Sequence, residues 1–301
     1  MQDASSSERI HATTFRGHHV RSVAFANRLA VIFLLIVLQE TPARSQQPQQ
    51  SSGTSTQGEL QDILLHLQDN LWDYLGNVPN FFADEHVVSD LKQDGAPGMR
   101  TITDSTFRLT RSEVIGEAPT LNESREIKLV NHKTPRTKNI QGPAILSGVF
   151  ISGVSTVSLE MSRCFDYMLE PSTQLRNETV IPIAFVLKHD VLDDPSCPGP
   201  EPQSGRAWIE QGSYHPLRVE MAIPNHLDDK GFRVLWTWSV DYAPVNFDSR
   251  QFWMPKTIIS KAVDTQASAV WSFTATYSNY HKLTVKSRII TDPDEMPAQP
   301  Q

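Results

Sequence analysis

The chain has 301 residues, 39% of them hydrophobic, with 20 Pro, 14 Gly, two Cys and a formal net charge of −7. That is ordinary globular composition, long enough for one substantial core. An acidic balance with no block of Lys or Arg argues against nucleic acid and anionic lipid headgroups as partners, and leaves neutral lipids open.

Arg21 and Arg28 precede Leu29-Ala-Val-Ile-Phe-Leu-Leu-Ile-Val-Leu38, a run of ten apolar residues. It is too short to cross the ~30 Å hydrocarbon core of a bilayer as a helix. Ala43 and Ser45 then supply the small residues of a cleavage site, so residues 1–45 are read as a secretory signal peptide. An uncleaved anchor or a buried helix is the competing reading of the same run. Its leader is long, and residues 1–20 point to a start codon further downstream. No cysteine follows the apolar run, which argues against a lipid-anchored mature terminus. The expected address is periplasmic or secreted, with no integral span after cleavage. Removing residues 1–45 takes away five Lys/Arg and three Asp/Glu, leaving the mature chain at a net −9.

Residues 46–58 are rich in Gln, Ser and Thr with no apolar side chain, and are expected to be a disordered linker. From 59 to 75, Leu60, Ile63, Leu64, Leu67, Leu71, Trp72 and Leu75 recur at three- and four-residue spacings, which predicts a helix with one apolar stripe. Gly76 and Pro79 stop it. Strand patterning follows at 81–91, 99–115 and 125–130. Residues 143–158 mix apolar with small residues and are expected to form a second short helix over the sheet. A hairpin is predicted from 162–169 and 179–187 around a polar turn, and the four prolines between 193 and 203 predict a loop. From Gly205 onward the alternation is dense: 206–210, 215–223, 232–247, 251–259, 269–277 and 281–289 read as successive antiparallel strands. Residues 292–301 are expected to be a flexible tail. The predicted fold is α+β: one domain over 59–291, a curved antiparallel sheet forming an incomplete barrel, covered by the N-terminal helix and the second short helix.

The two cysteines, Cys164 and Cys197, stand 33 residues apart in the exported portion. A disulfide between them is the expected pairing. Two buried thiols or a metal pair are the alternatives, and neither cysteine has a His or second Cys at the spacing zinc sites use.

Signals for catalysis are weak. There is no Gly-x-Ser-x-Gly, and Ser147-Gly148 lacks the strand-to-helix setting a nucleophile elbow needs. The mature histidines show no paired helical spacing. His189-Asp190 with Asp193-Asp194 is the best polar cluster, able to bind a hard cation but more commonly a solvated loop. Asp228-Asp-Lys-Gly231 reads as a hairpin turn. Asn122 and Asn177 match the glycosylation acceptor, which matters only in a eukaryote. No catalytic residue, metal ligand or cofactor is expected, and the chain is not read as an enzyme. The aromatic residues Trp208, Trp236, Trp238, Trp253, Phe273 and Tyr277 are either plain core or the lining of a cavity for an apolar ligand. Trp236 and Trp238 share a parity and face the same side.

Several of these strands carry a family likeness. Gly205-Arg-Ala-Trp-Ile-Glu-Gln-Gly212, Leu217-Arg-Val-Glu-Met-Ala222, Trp238-Ser-Val-Asp-Tyr-Ala-Pro-Val245, Phe252-Trp-Met-Pro-Lys256 and Tyr277-Ser-Asn-Tyr-His-Lys282 follow one another. This succession resembles exported bacterial proteins of the outer-membrane lipoprotein-sorting and carrier fold, and is most similar to secreted acidobacterial proteins. The resemblance spans about residues 205–290. It implies an incomplete antiparallel barrel capped by helices, whose hydrophobic cavity receives lipid or lipoprotein acyl chains without a cofactor and without catalysis. No residue here matches a carrier's acyl-handling position, and 125–158 departs from the pattern. The alternative is an envelope interaction or structural module with a solid core.

Overall fold

The structure, a computed structural model, describes residues 53–112, 120–135, 153–228, 231–264 and 266–284. The expected signal peptide, the tail and most of the expected second helix lie outside these. One helix, α1 (Gly53–Asn77), precedes eleven strands. These are β1 (Phe81–Gln93), β2 (Met99–Ser112), β3 (Thr120–Val130), β4 (Phe165–Leu169), β5 (Thr173–Leu175), β6 (Glu178–Leu187), β7 (Ser204–Glu210), β8 (Pro216–Leu227), β9 (Arg233–Phe247), β10 (Arg250–Asp264) and β11 (Ala269–Lys282). They form one antiparallel sheet in the order β3-β2-β1-β11-β10-β9-β8-β7-β6-β4, with β5 added on β6. Consecutive strands β3 and β4 sit at opposite ends of that path, so the barrel is not closed.

Pairing in register fixes which side chains share a face. One row runs Ile183, Ala207, Val219, Val240, Ile258, Ala275 and Val87, and every member is buried. This is the inner face. α1 lays Ile63, Leu64, Leu67, Leu71 and Tyr74 into the same core. Asn70 Nδ2 ties the helix to the β7–β8 turn by donating to the carbonyls of Ser213 and Tyr214 at 3.1 and 2.9 Å. Asp73 pairs with Arg250 at 2.7 Å, and Arg111 donates to the Gly76 and Val78 carbonyls, placing a cation at the negative end of the helix.

Four details differ from the sequence reading. The helix begins at Gly53, inside the stretch expected to be a linker. Trp72, assigned to the apolar stripe, is 66% exposed, because one residue beyond Leu71 turns about 100° away from the core. The polar turn in the predicted hairpin contains β5, which returns to β6 through Arg176 and Asn177, both at positive φ as a two-residue hairpin turn demands. The break expected between 277 and 281 is a bulge inside one continuous β11. Asn279 takes φ 52 there, and its amide donates to Asp84 at 2.8 Å. Of the expected second helix, residues 153–155 form a helical turn, followed by a 3-10 turn at Glu160–Arg163.

Pro182 lies in β6 between the last residue paired with β5, Val180, and the first paired with β4, Ile183. Gly205 of β7 is needed for a close approach: a Cβ there would lie 2.1 Å from the Glu220 carbonyl and 2.4 Å from the Phe185 ring. Cys164 and Cys197 form a disulfide, joining the start of β4 to the proline-rich loop.

Candidate ligand-binding face

Beyond the row from Ile183 to Val87, the inner face continues as Phe185, Gly205, Met221, Trp238, Ser260, Phe273, Ser89 and Thr101, each paired with the next. A further row runs Ile223, Trp236, Ala262, Trp271 and Leu91. Thus Trp236, Trp238 and Phe273 do come together, on the α1-facing side of the sheet. Trp236 and Trp271 flank Ala262 and are half-buried, whereas Trp238 and Phe273 are buried. The Trp236 indole donates to Ser260 Oγ at 2.9 Å. Its ring lies 4.6 Å from that of His226, which pairs with Glu201 at 2.7 Å.

The other expected aromatics go elsewhere. Trp208 pairs with Pro182 and Arg218, on the opposite face, where Arg206 lies 5.7 Å from its ring. Trp253 stacks on His215 at 5.2 Å beside α1. Burial holds the His215 imidazole below its ordinary pKa, with Glu210 and Asp73 working against that shift. Tyr277 is buried on the inner face but belongs to a polar cluster.

That cluster was not foreseen. Glu85 on β1, Arg125 and Glu123 on β3, and Tyr277 on β11 share the inner face near the β3 edge. Arg125 Nε donates to both Glu85 oxygens, at 2.9 and 3.2 Å, and its guanidinium reaches Glu123 at 3.5 Å. The side chains of Arg125 and Glu85 are 12% and 0% exposed. Tyr277 donates to Glu85 at 2.8 Å, and Phe107 lies under the guanidinium at 4.9 Å. Burial works against the Arg125 charge, but Glu85 and Tyr277 outweigh it and raise its pKa. Burial, then the Glu85 charge, pushes the Tyr277 phenol up. Burial and Glu123 do the same to Tyr74. The signal was parity: Glu123 and Arg125 alternate in step with Leu121, Ile127 and Leu129, and Glu85 with Phe81, Ala83 and Val87.

Between α1 and Phe252 and Trp253, a cavity of about 40 Å³ is left beside Leu67, Leu71 and Tyr74, and a depression of about 520 Å³ opens at the start of the helix beside Glu59, Asp62, Ile63 and Tyr214. A wider depression of about 550 Å³ crosses β6 to β10. Its walls are mainly Ala184, Val186, Ser204, Ala222, Ser239 and Ile259, whose parity places them on the face opposite Trp238. It is an open dip in which Arg206 and Glu220 stand beside small and apolar outward side chains. Asp194, in the polar cluster read as a solvated loop, is engaged locally by the backbone N–H and hydroxyl of Ser196, at 2.8 and 2.6 Å. Among the described residues no group of three His, Cys, Asp or Glu is placed to hold a metal ion. No described helix is long and apolar enough to cross a membrane.

No family model matches the chain, and no curated protein matches it in sequence. Solved structures similar to it include a domain described as an outer-membrane lipoprotein-sorting protein from Vibrio parahaemolyticus, with TM-score 0.40 and 12% identity over 75% of this chain and 95% of that one. A DUF1329 family protein from Desulfovibrio piger gives TM-score 0.38 and 9% identity over 77% and 95% of the two chains. A LolA superfamily protein from Nitrosomonas europaea gives 0.31 and 10% over 73% and 93%. At these scores the likeness concerns the fold alone and says nothing of a ligand. The resemblance carried by residues 205–290 is to this lipoprotein-sorting fold.

Proposed function

We propose that the chain is an exported, non-catalytic protein that holds an apolar ligand, a lipid or a lipoprotein acyl chain, against the inner face of its incomplete barrel. The observation that carries this reading is the half-buried pair Trp236 and Trp271 astride Ala262, two rows beyond Val240 and Ile258. Trp238, Phe273 and Met221 lie beside them. The driving force is area burial, at roughly 25 cal/mol per Å² of apolar surface removed from water. The Cys164–Cys197 disulfide supports an oxidising compartment, and residues 1–45 are the proposed signal peptide.

The test is native mass spectrometry of protein purified from an envelope fraction, with titration of a fluorescent fatty acid read by tryptophan quenching. Co-purifying lipid and saturable quenching are expected. Neither appearing would overturn the reading. The open depression across β6 to β10, rimmed by the 54% exposed Val186 and the 42% exposed Ile259, favours a second reading as a protein-interaction module. A protein partner lost on Ile259→Asp, with no bound lipid, would establish it.

A further inference from the structure

The inner face changes chemistry from one side to the other. From β6 to β11 it presents mostly aliphatic and aromatic side chains. On β1 and β2 it presents hydroxyls: Ser89 and Thr101 face each other in register, and Thr103 and Ser105 continue the column along β2. All four are buried. A strand face turned to a core is ordinarily apolar, because a hydroxyl taken from water needs a partner to repay its desolvation. Ser105 Oγ is buried with no hydrogen-bond partner, and the same holds for Tyr74 on α1. Both border the ionic cluster: Ser105 pairs in register with Glu85, and Tyr74 feels the Glu123 charge.

The cluster itself is a poor anion receptor. Arg125 is already gripped by both oxygens of Glu85 and approached by Glu123. A carboxylate or phosphate entering there would meet two buried carboxylates before it could displace one. Neutral donors and acceptors meet no such opposition, and a hydroxyl can both give to and take from Ser105 and Thr103.

We infer that the ligand of this face carries a neutral, hydroxyl-bearing head group that docks on the Thr101–Thr103–Ser105 column, with its apolar part along Phe273 and Trp238. The inference rests on the proposed lipid-holding function and adds the class of head group. The direction across the strands fits: from Trp238 on β9 to Thr101 on β2 there are four strand spacings, about 19 Å, room for one extended acyl chain.

The experiment titrates the full chain with 1-monooleoylglycerol and with oleate, read by tryptophan emission, each kept below the concentration at which it aggregates. The monoacylglycerol is expected to bind about tenfold more tightly, roughly what one added hydrogen bond supplies. Thr103→Val combined with Ser105→Ala is nearly isosteric, and is expected to erase that preference by bringing the monoacylglycerol down to the affinity of oleate. Unchanged circular dichroism in the double variant serves as the folding control. Oleate binding as well as the monoacylglycerol, or a preference that survives the double substitution, would overturn the head-group inference and leave the lipid-holding reading intact. A silent tryptophan signal with both amphiphiles would overturn the two together.

Discussion

Trp236 and Ser260 are joined across the β9–β10 ladder by an indole N–H donated to a hydroxyl at 2.9 Å. Ser260 also sits in register between Trp238 and Phe273, so a single small polar residue underlies the aromatic patch. Removing its hydroxyl leaves the indole donor without that partner. Ser260→Ala is expected to cost about 1–3 kcal/mol and to change the tryptophan emission spectrum. Chemical denaturation followed by fluorescence and circular dichroism checks both.

Arg125 and Glu85 form the most deeply buried ion pair among those described, with side chains 12% and 0% exposed. Arg125→Met strands a carboxylate in the core and is expected to destabilise by about 3–5 kcal/mol. Adding Glu85→Gln to Arg125→Met removes the orphaned charge, so the double variant is expected to be more stable than the single one. A double-mutant cycle of denaturation midpoints measures this coupling.

The Cys164–Cys197 disulfide closes a loop of 33 residues. The chain-entropy estimate gives ~3–4 kcal/mol for such a loop. The Cys164→Ala, Cys197→Ala variant is expected to unfold at a correspondingly lower temperature, and reductant is expected to lower the wild-type midpoint while leaving the variant unaffected. Thiol labelling of the native oxidised protein is expected to find neither cysteine reactive.

Alkali is expected to unfold the protein cooperatively. Burial raises the phenol pKa of Tyr74, Tyr242, Tyr277 and Tyr280 in the folded state. A group raised on folding contributes stability that is complete below its unfolded pKa, about 10 for tyrosine. Above that value the unfolded chain releases protons that the folded chain retains, so stability falls as pH rises. Phenolate absorbance and circular dichroism followed together should change in one transition. On the acid side His215 acts in the opposite sense: its pKa is depressed by burial, so its contribution is present above about pH 6.5 and is lost as pH falls. His215→Phe is expected to flatten that acid limb.

Period-two alternation made the sheet legible in the sequence, since each of β6 to β11 repeats large apolar residues at one parity. The same rule, applied to Trp271, would have placed it with Phe273 and Tyr277. It also marks Trp208 as the odd member, since Trp208 alternates with Ala207 and Ile209, both buried. Alternation does not give register or order, so nothing local could say that β1 pairs with β11 or that β3 and β4 end the sheet. Charged residues at inward parity, such as Glu85 and Arg125, read as solvated unless a partner is known, and their partner lies on another strand. The bulge at Asn279 resembles a turn because both use a residue at positive φ.

The strand that opens the sheet domain is hydrogen-bonded along its length to the strand that closes it. During synthesis β1, β2 and β3 can pair among themselves, but they have no sheet to join until the last strand has left the ribosome. The meander from β4 to β11 can assemble first, and the N-terminal hairpins are then recruited by one ladder across most of the chain. Such distant pairing is slow to form. It makes truncation near Lys282 as damaging as truncation near Phe81, because either one removes the ladder that joins the two parts of the sheet.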